Sequence, residues 1–184
     1  MNPDELGTLV RSRRTSMLVD KDRDVPAELI GNLCELTQWA PNHKRTWPWR
    51  FALVAGDARA RLGNVIADAM EAYGDTAEKV AKTRGKYLRT PCTLVVGSAP
   101  GDSASRSGEN RDAVAAGVQN LLLAATAHGL ASYWGSCPNG ANDAVAELCE
   151  FEPGTHVTAI IYLGWATGSV ATPERPPVRL HRVG

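Results

Sequence analysis

Residues 39–49 read Trp39-Ala40-Pro41-Asn42-His43-Lys44-Arg45-Thr46-Trp47-Pro48-Trp49. Three of the chain's five Trp fall in these eleven residues, together with a His, a Lys and an Arg. Pro41 and Pro48 stiffen the segment and reject helix. The indoles supply flat apolar faces, and the His, Lys and Arg side chains supply donors and charge. A rigid loop of this kind suits a planar, partly anionic ligand. The same residues also suit a loop whose indoles cap the core, and the loop alone does not separate the two readings.

The flanking sequence sets the loop between two regular elements. Asp24-Val25-Pro26 offers a cap and a proline near a first turn, and Leu29, Ile30, Leu33 and Leu36 follow at helical spacing, which predicts a helix over about 26–39. Arg50–Gly56 reads as a strand. Upstream, Leu6, Leu9 and Val10 share one face of a short amphipathic helix over 4–14 that ends in the run Arg11-Ser12-Arg13-Arg14-Thr15. Downstream, 57–88 is Ala-rich and charged, with Gly74-Asp75 breaking it into two helices, and Cys92–Ser98 is a short apolar run that predicts a buried strand. The turn-rich stretch 99–108 reads as a mobile loop, and 109–128 as a long helix stopped by Gly129. Ala115, Ala116 and Gly117 keep one side of that helix small, which suits close approach by another backbone. Strands over 130–134 and 156–165, a helix over 141–149 and a proline-rich extended arm complete the chain. Helices and strands are interspersed without clean βαβ alternation, which points to a mixed sheet with helices packed on it.

With 184 residues, the chain reads as one domain, 1–184, with a substantial core. Its formal net charge is zero, so no global basic field draws it to nucleic acid or an anionic membrane. No apolar run approaches spanning length, and Met1-Asn2-Pro3-Asp4-Glu5 has no secretory h-region, so a cytoplasmic location is expected. Cys34, Cys92, Cys137 and Cys149 have no CxxC spacing and no accompanying His cluster, which argues against structural zinc and for free thiols.

The chain has no GxGxxG after a strand, no GxxxxGK[ST], no HExxH and no GxSxG. What remains is a scattered set suited to a planar cofactor bearing a phosphate. Arg13, Arg14 and Thr15 form a donor cluster for a phosphate dianion, though cations there also complement a helix C-terminus. Trp134-Gly135-Ser136 joins an aromatic to a turn whose backbone N–H groups are open to a ligand, or else is a plain strand end.

The order of these pieces resembles the nitroreductase family, and its small bacterial branch in particular. The resemblance rests on Arg13-Arg14-Thr15, then Ala40-Pro41-Asn42-His43-Lys44 with Pro48-Trp49, then Gly129-Leu130-Ala131 with Trp134, and covers the chain from Arg13 to the proline-rich arm. It implies an α+β sandwich with a mixed, mostly antiparallel sheet flanked by helices, and a homodimer holding two FMN molecules at the interface. It also implies that Arg13, Arg14 and Thr15 grip the FMN phosphate and ribityl chain and that Arg175 returns to the phosphate. His43 would reach the flavin bound mainly by the other subunit, and Trp134, Gly135 and Ser136 would pass along the ring near N5. Residues 124–129 match a segment linked to the nicotinamide nucleotide. The implied activity is an FMN-dependent oxidoreductase that takes hydride from NADH or NADPH and reduces a quinone, nitroaromatic or related small molecule. A flavin-binding protein without turnover is the alternative, and no side chain stands out as a catalytic acid.

Three positions depart from the family pattern. Met17 stands where many members carry Arg, Trp39 where the small branch can carry a cation, and Trp47 where many have Gln. Trp39 and Trp47 are each expected to narrow the pocket or to stack on substrate or flavin, and Trp39 joins the expected cofactor-binding set.

Overall fold

The computed structural model describes residues 2–184. Its centre is an antiparallel sheet of five strands: β1 (Val19–Asp20), β2 (Trp49–Ala55), β3 (Cys92–Ser98), β4 (Leu130–Gly135) and β5 (His156–Ala166). The long strand β5 organises it, pairing with β3, with β4 and, through Trp165 and Ala166, with β1; β2 pairs with the other edge of β3. One parallel bridge, Thr15 to Ser132, is the mixed element of the sheet.

Two cores lie on the two faces of this sheet. On one face, α2 (Ala27–Thr37) and α5 (Ala104–Ala127) send Ile30, Leu33, Val114, Val118 and Leu121 against Leu94, Val96, Ile161 and Leu163. On the other, α3 (Ala58–Tyr73), α4 (Ala77–Arg84) and α6 (Asn142–Leu148) send Leu62, Ile66, Val80 and Val145 against Val54, Val95, Ile160 and Tyr162. The period-two alternation of strand side chains assigns Leu94 and Val96 to one core and Val95 to the other. All of β3 is buried, which is why it reads as an unbroken apolar run.

Helix α5 crosses the middle of the first layer. A Cβ added at Gly117 would sit 2.6 Å from the Thr37 carbonyl oxygen and 2.7 Å from Trp49 Nε1, so of the small residues 115–117 it is Gly117 that α2 and β2 press on, while Ala116 is exposed. Gly129 ends the helix region with φ of 78°, as its position predicted.

Two local expectations are corrected. Residues 104–108 are not loop but the first turn of α5. Ser103 caps that turn, its side chain accepting from the Arg106 N–H at 3.1 Å, and the small polar residues that suggested mobility are cap and first-turn residues. Asp24 is not a cap of α2, whose N-cap is Pro26 without a side-chain bond; the Asp24 carbonyl instead accepts from Trp165 Nε1. The first helix, α1 (Pro3–Ser12), opens with a reciprocal box between Asn2 and Glu5 and buries none of its residues. Residues 167–184 form the expected arm, without helix or strand and exposed throughout. Among the described residues no helix is long and apolar enough to cross a membrane.

Candidate functional site

Arg13, Arg14 and Thr15 leave α1 along the edge of β4. Thr15 bridges Ser132, and the Ser16 N–H donates to the Ser132 carbonyl at 2.9 Å. Trp134 and Gly135 lie two and three residues farther along that strand, so two of the three sequence motifs meet on one strand edge. Arg14 is half-buried. Its Nη1 donates to the carbonyls of Arg11 and Arg13 at 2.5 and 2.8 Å, and its Nη2 to Thr172 Oγ1 at 2.5 Å. The Nε–H of Arg14 is buried without a partner. Beside it is a cavity of about 220 Å³ lined by Ser12, Arg14, Ser16, Thr126, Gly129 and Gly168 among others. A guanidinium with an unused buried donor, hydroxyls and two glycines around a small cavity suit an oxyanion. The Arg13 guanidinium, half-exposed, has no hydrogen-bond or ion-pair partner among the described residues.

The Thr172 contact ties the C-terminal arm to Arg14, and Arg175 follows three residues later, within about 10 Å along an extended chain. Residues 124–129 contribute Thr126 and Gly129 to the same cavity. Trp134 is half-buried against the first core, while Ser136 is exposed just past the end of β4.

His43 lies elsewhere in the chain. It opens a 3₁₀ turn over His43–Arg45 at the start of α5, with Nδ1 3.1 Å from Glu109 Oε2 and 3.0 Å from Arg106 Nη1. Arg106 in turn donates to Glu109 at 2.5 Å. The loop is clamped from beneath. Asn42 donates to Thr46 Oγ1 and accepts from the Trp47 N–H, Thr46 donates to Asn110 Oδ1, and buried Asn110 donates to the Ala99 carbonyl. Lys44, Arg45 and Trp47 all take positive φ, at 63°, 53° and 50°. Three left-handed non-glycine residues in four positions are costly for an L-residue backbone, and such outliers concentrate at ligand clamps.

The tryptophans of the loop divide. Trp49 is buried in the first core, as the core-capping reading holds. Trp39 is 76 % exposed, its Nε1 donating to Glu35 one turn back, and Trp47 is 54 % exposed, tilted on Trp49 at 6.2 Å between centroids. Neither exposed indole caps the core, and the chain brings neither Trp39 nor His43 to Arg14. Met17, the other departure, packs against the second core.

Sequence reasoning missed the supports of this site. Asn42 and Thr46, four apart in a turn-rich loop, carry a legible signal, because short polar side chains cap their own turns. Glu109, Asn110 and Thr172 carry none, since their partners are distant in sequence. The cysteines offer no nucleophile. Burial raises Cys34 and Cys92 to about 12 and Cys137 and Cys149 to about 11, so the thiolate is scarce near neutrality. Among the described residues no three His, Cys, Asp or Glu gather as a metal site.

Comparison with known proteins fits this arrangement. The family model described as the nitroreductase family matches residues 10–165. A Bacillus subtilis protein named "Putative NAD(P)H nitroreductase YfhC" is 28 % identical over 177 residues, 95 % of this chain and 91 % of the relative. The nitroreductase-like family protein from Bacillus cereus superposes with a TM-score of 0.79 at 26 % identity, over 94 % of this chain and 91 % of that one. The FMN-dependent nitroreductase NfnB of Mycobacterium smegmatis, solved with NADPH, shares the fold with a TM-score of 0.73 at 20 % identity, over 97 % of this chain and 99 % of that one. The match spans both the Arg14 strand edge and the His43 loop, and the chain belongs to the nitroreductase family.

Proposed function

We propose that the protein is an FMN-dependent NAD(P)H oxidoreductase that works as a homodimer. The observation that carries the reading is the Arg14 cavity: a half-buried guanidinium with an unpartnered Nε–H, set beside the strand that leads to Gly135 and Ser136. A phosphate there takes the free donor of Arg14, and Arg13, Thr15 and Arg175 complete a cationic, hydroxyl-bearing grip. Trp134, Gly135 and Ser136 at the end of β4 would border the ring, where a backbone N–H past the strand end would serve its N5 edge. Bound there, FMN would supply the two-electron chemistry that links NADH or NADPH oxidation to reduction of a nitroaromatic, quinone or related acceptor.

The surfaces that a single chain leaves bare support the dimer. Helix α1 buries none of its residues, with Leu6 and Val10 about half exposed, and the arm exposes Val178, Leu180 and Val183 almost fully. Such amphipathic surfaces call for a partner. A second copy would bring its His43 loop to the β4 edge, where His43, held by Glu109 and Arg106, would approach the pyrimidine side of the ring. Trp39 and Trp47 then stand at the rim, as aromatic faces for flavin or acceptor.

The purified protein is therefore expected to be yellow, with an FMN absorbance band that NADH or NADPH bleaches anaerobically. Bound FMN that dithionite reduces while both nicotinamides leave it oxidised supports the alternative, a flavin-binding protein for storage or sensing.

A further inference from the structure

The second sheet face carries a cationic cavity that the flavin site does not use. Lys79, Lys82, Lys86 and Arg89 recur at spacings of three, four and three along α4 and the 3₁₀ turn Lys86–Arg89 that follows it, so they form one stripe. Val80 and Tyr87, buried in the second core, anchor those turns, and Thr83 lines the cavity beside the stripe. The stripe lines a cavity of about 330 Å³ whose apolar wall is Met70 and Pro138, and no carboxylate lines it. At its rim Asp75 engages Lys79 at 3.4 Å, but Lys82, Lys86 and Arg89 have no acidic partner among the described residues. Four like charges on one stripe repel each other in the free protein. Burial, and the neighbouring charges of Arg89 and Lys82, both push the Lys86 ammonium below its ordinary range.

The cavity adjoins the end of β4. Lys86 Nζ lies 5.9 Å from the Tyr162 ring, and a Cβ at Gly135 would sit 3.3 Å from Tyr162 Cε2. Pro138, in the cavity wall, is two residues past Ser136.

We propose that this cavity receives the anionic group of the electron acceptor, and that the enzyme's preferred acceptors are nitroaromatics or quinones that bear a carboxylate rather than neutral ones. The lysine methylene stems, Met70 and Pro138 contact the flat body of the ligand, and Lys82, Lys86 and Arg89 neutralise its carboxylate. The site is small enough for a single ring and lies past the strand end where the ring of FMN is placed, so the inference rests on the FMN reading of the preceding section.

The test uses FMN-loaded protein, with 4-nitrobenzoate as the anionic probe and its neutral methyl ester as the control. Calorimetric titration is expected to show the carboxylate binding at least tenfold more tightly than the ester. Lys86→Gln and Lys82→Gln are each expected to reduce that preference several-fold, leaving affinity for the ester and FMN content unchanged. High salt is expected to weaken only the carboxylate. Equal binding of acid and ester, or a preference that survives both substitutions, overturns the proposal. Because binding is read without turnover, failure here is distinct from failure of nicotinamide to bleach the flavin.

Discussion

Arg14 and His43 stand at opposite ends of the same helix. Thr126, near the C-terminus of α5, lines the Arg14 cavity, whereas Glu109, in its second turn, holds His43 at 3.1 Å. From Glu109 to Thr126 is a rise of about 26 Å at 1.5 Å per residue. No side-chain motion closes that gap, and in the proposed dimer the two residues of one site come from different copies of the chain.

This predicts complementation. Homodimers of Arg14→Ala and of His43→Ala are each expected to be impaired, the first in FMN retention and the second in flavin reduction rate. Mixing the two and exchanging subunits yields hybrids in which one of two sites has both residues intact. Such hybrids are expected to recover FMN binding and turnover at about half the sites of the wild type. Exchange that is demonstrated by mass but restores nothing places both residues in the same protomer's site and contradicts the shared arrangement.

The phosphate grip makes a quantitative prediction. Charge-assisted hydrogen bonds contribute about 1.5–3 kcal/mol each, which is about 10- to 150-fold in affinity. Arg14→Ala is therefore expected to weaken FMN by at least tenfold in a fluorescence titration of apoprotein. Lys21→Ala, which removes an exposed cation paired only with Asp22, is the control and is expected to leave FMN affinity unchanged. Equal affinities for wild type and Arg14→Ala contradict the assignment of this cavity to the phosphate.

Much of this was legible in the sequence because the fold is locally consistent. The buried strand at Cys92–Ser98 and the stop at Gly129 follow from periodicity and from backbone freedom at glycine. The start of α5 was not legible, because Ser103, Ser105 and Ser107 favour caps and loops alike, and only the Ser103 bond to the Arg106 N–H separates the two. The loop 39–49 showed its chemistry but not its division. Burial of Trp49 beside exposed Trp47 depends on the turn that the positive-φ residues make, and Trp39, before that turn, is held outward by Glu35. The Glu109–His43 and Arg14–Thr172 contacts join residues 66 and 158 positions apart, and no local rule encodes such pairs.

Two glycines of α5 make opposite predictions for the same substitution. Gly→Ala in an exposed helix interior gains about 0.5–1 kcal/mol from backbone entropy. Gly108 has nothing within 4 Å of an added Cβ, so Gly108→Ala is expected to stabilise by that amount in urea denaturation. Gly117→Ala meets the Thr37 carbonyl and Trp49 Nε1 and is expected to destabilise by about 1–3 kcal/mol net. A stabilising Gly117→Ala means that α2 yields at no cost and is not locked against α5.

The buried thiols set an alkaline limit on stability. Burial raises Cys34 and Cys92 from 9.0 to about 12 in the folded protein. The folded state holds these protons where the unfolded chain releases them, so stability is unaffected below about pH 9 and falls as pH rises toward 12. The slope is at most about 1.4 kcal/mol per pH unit for each thiol. Urea midpoints measured from pH 7 to 11 are therefore expected to stay level and then decline. Cys92→Ala, although less stable at neutral pH, is expected to decline less steeply. The same shifts predict slow alkylation of native Cys34 and Cys92 by iodoacetamide at pH 7.5 and rapid alkylation in urea. Rapid native labelling of either thiol contradicts its place in the core, and an unchanged alkaline slope in Cys92→Ala assigns the decline to other groups.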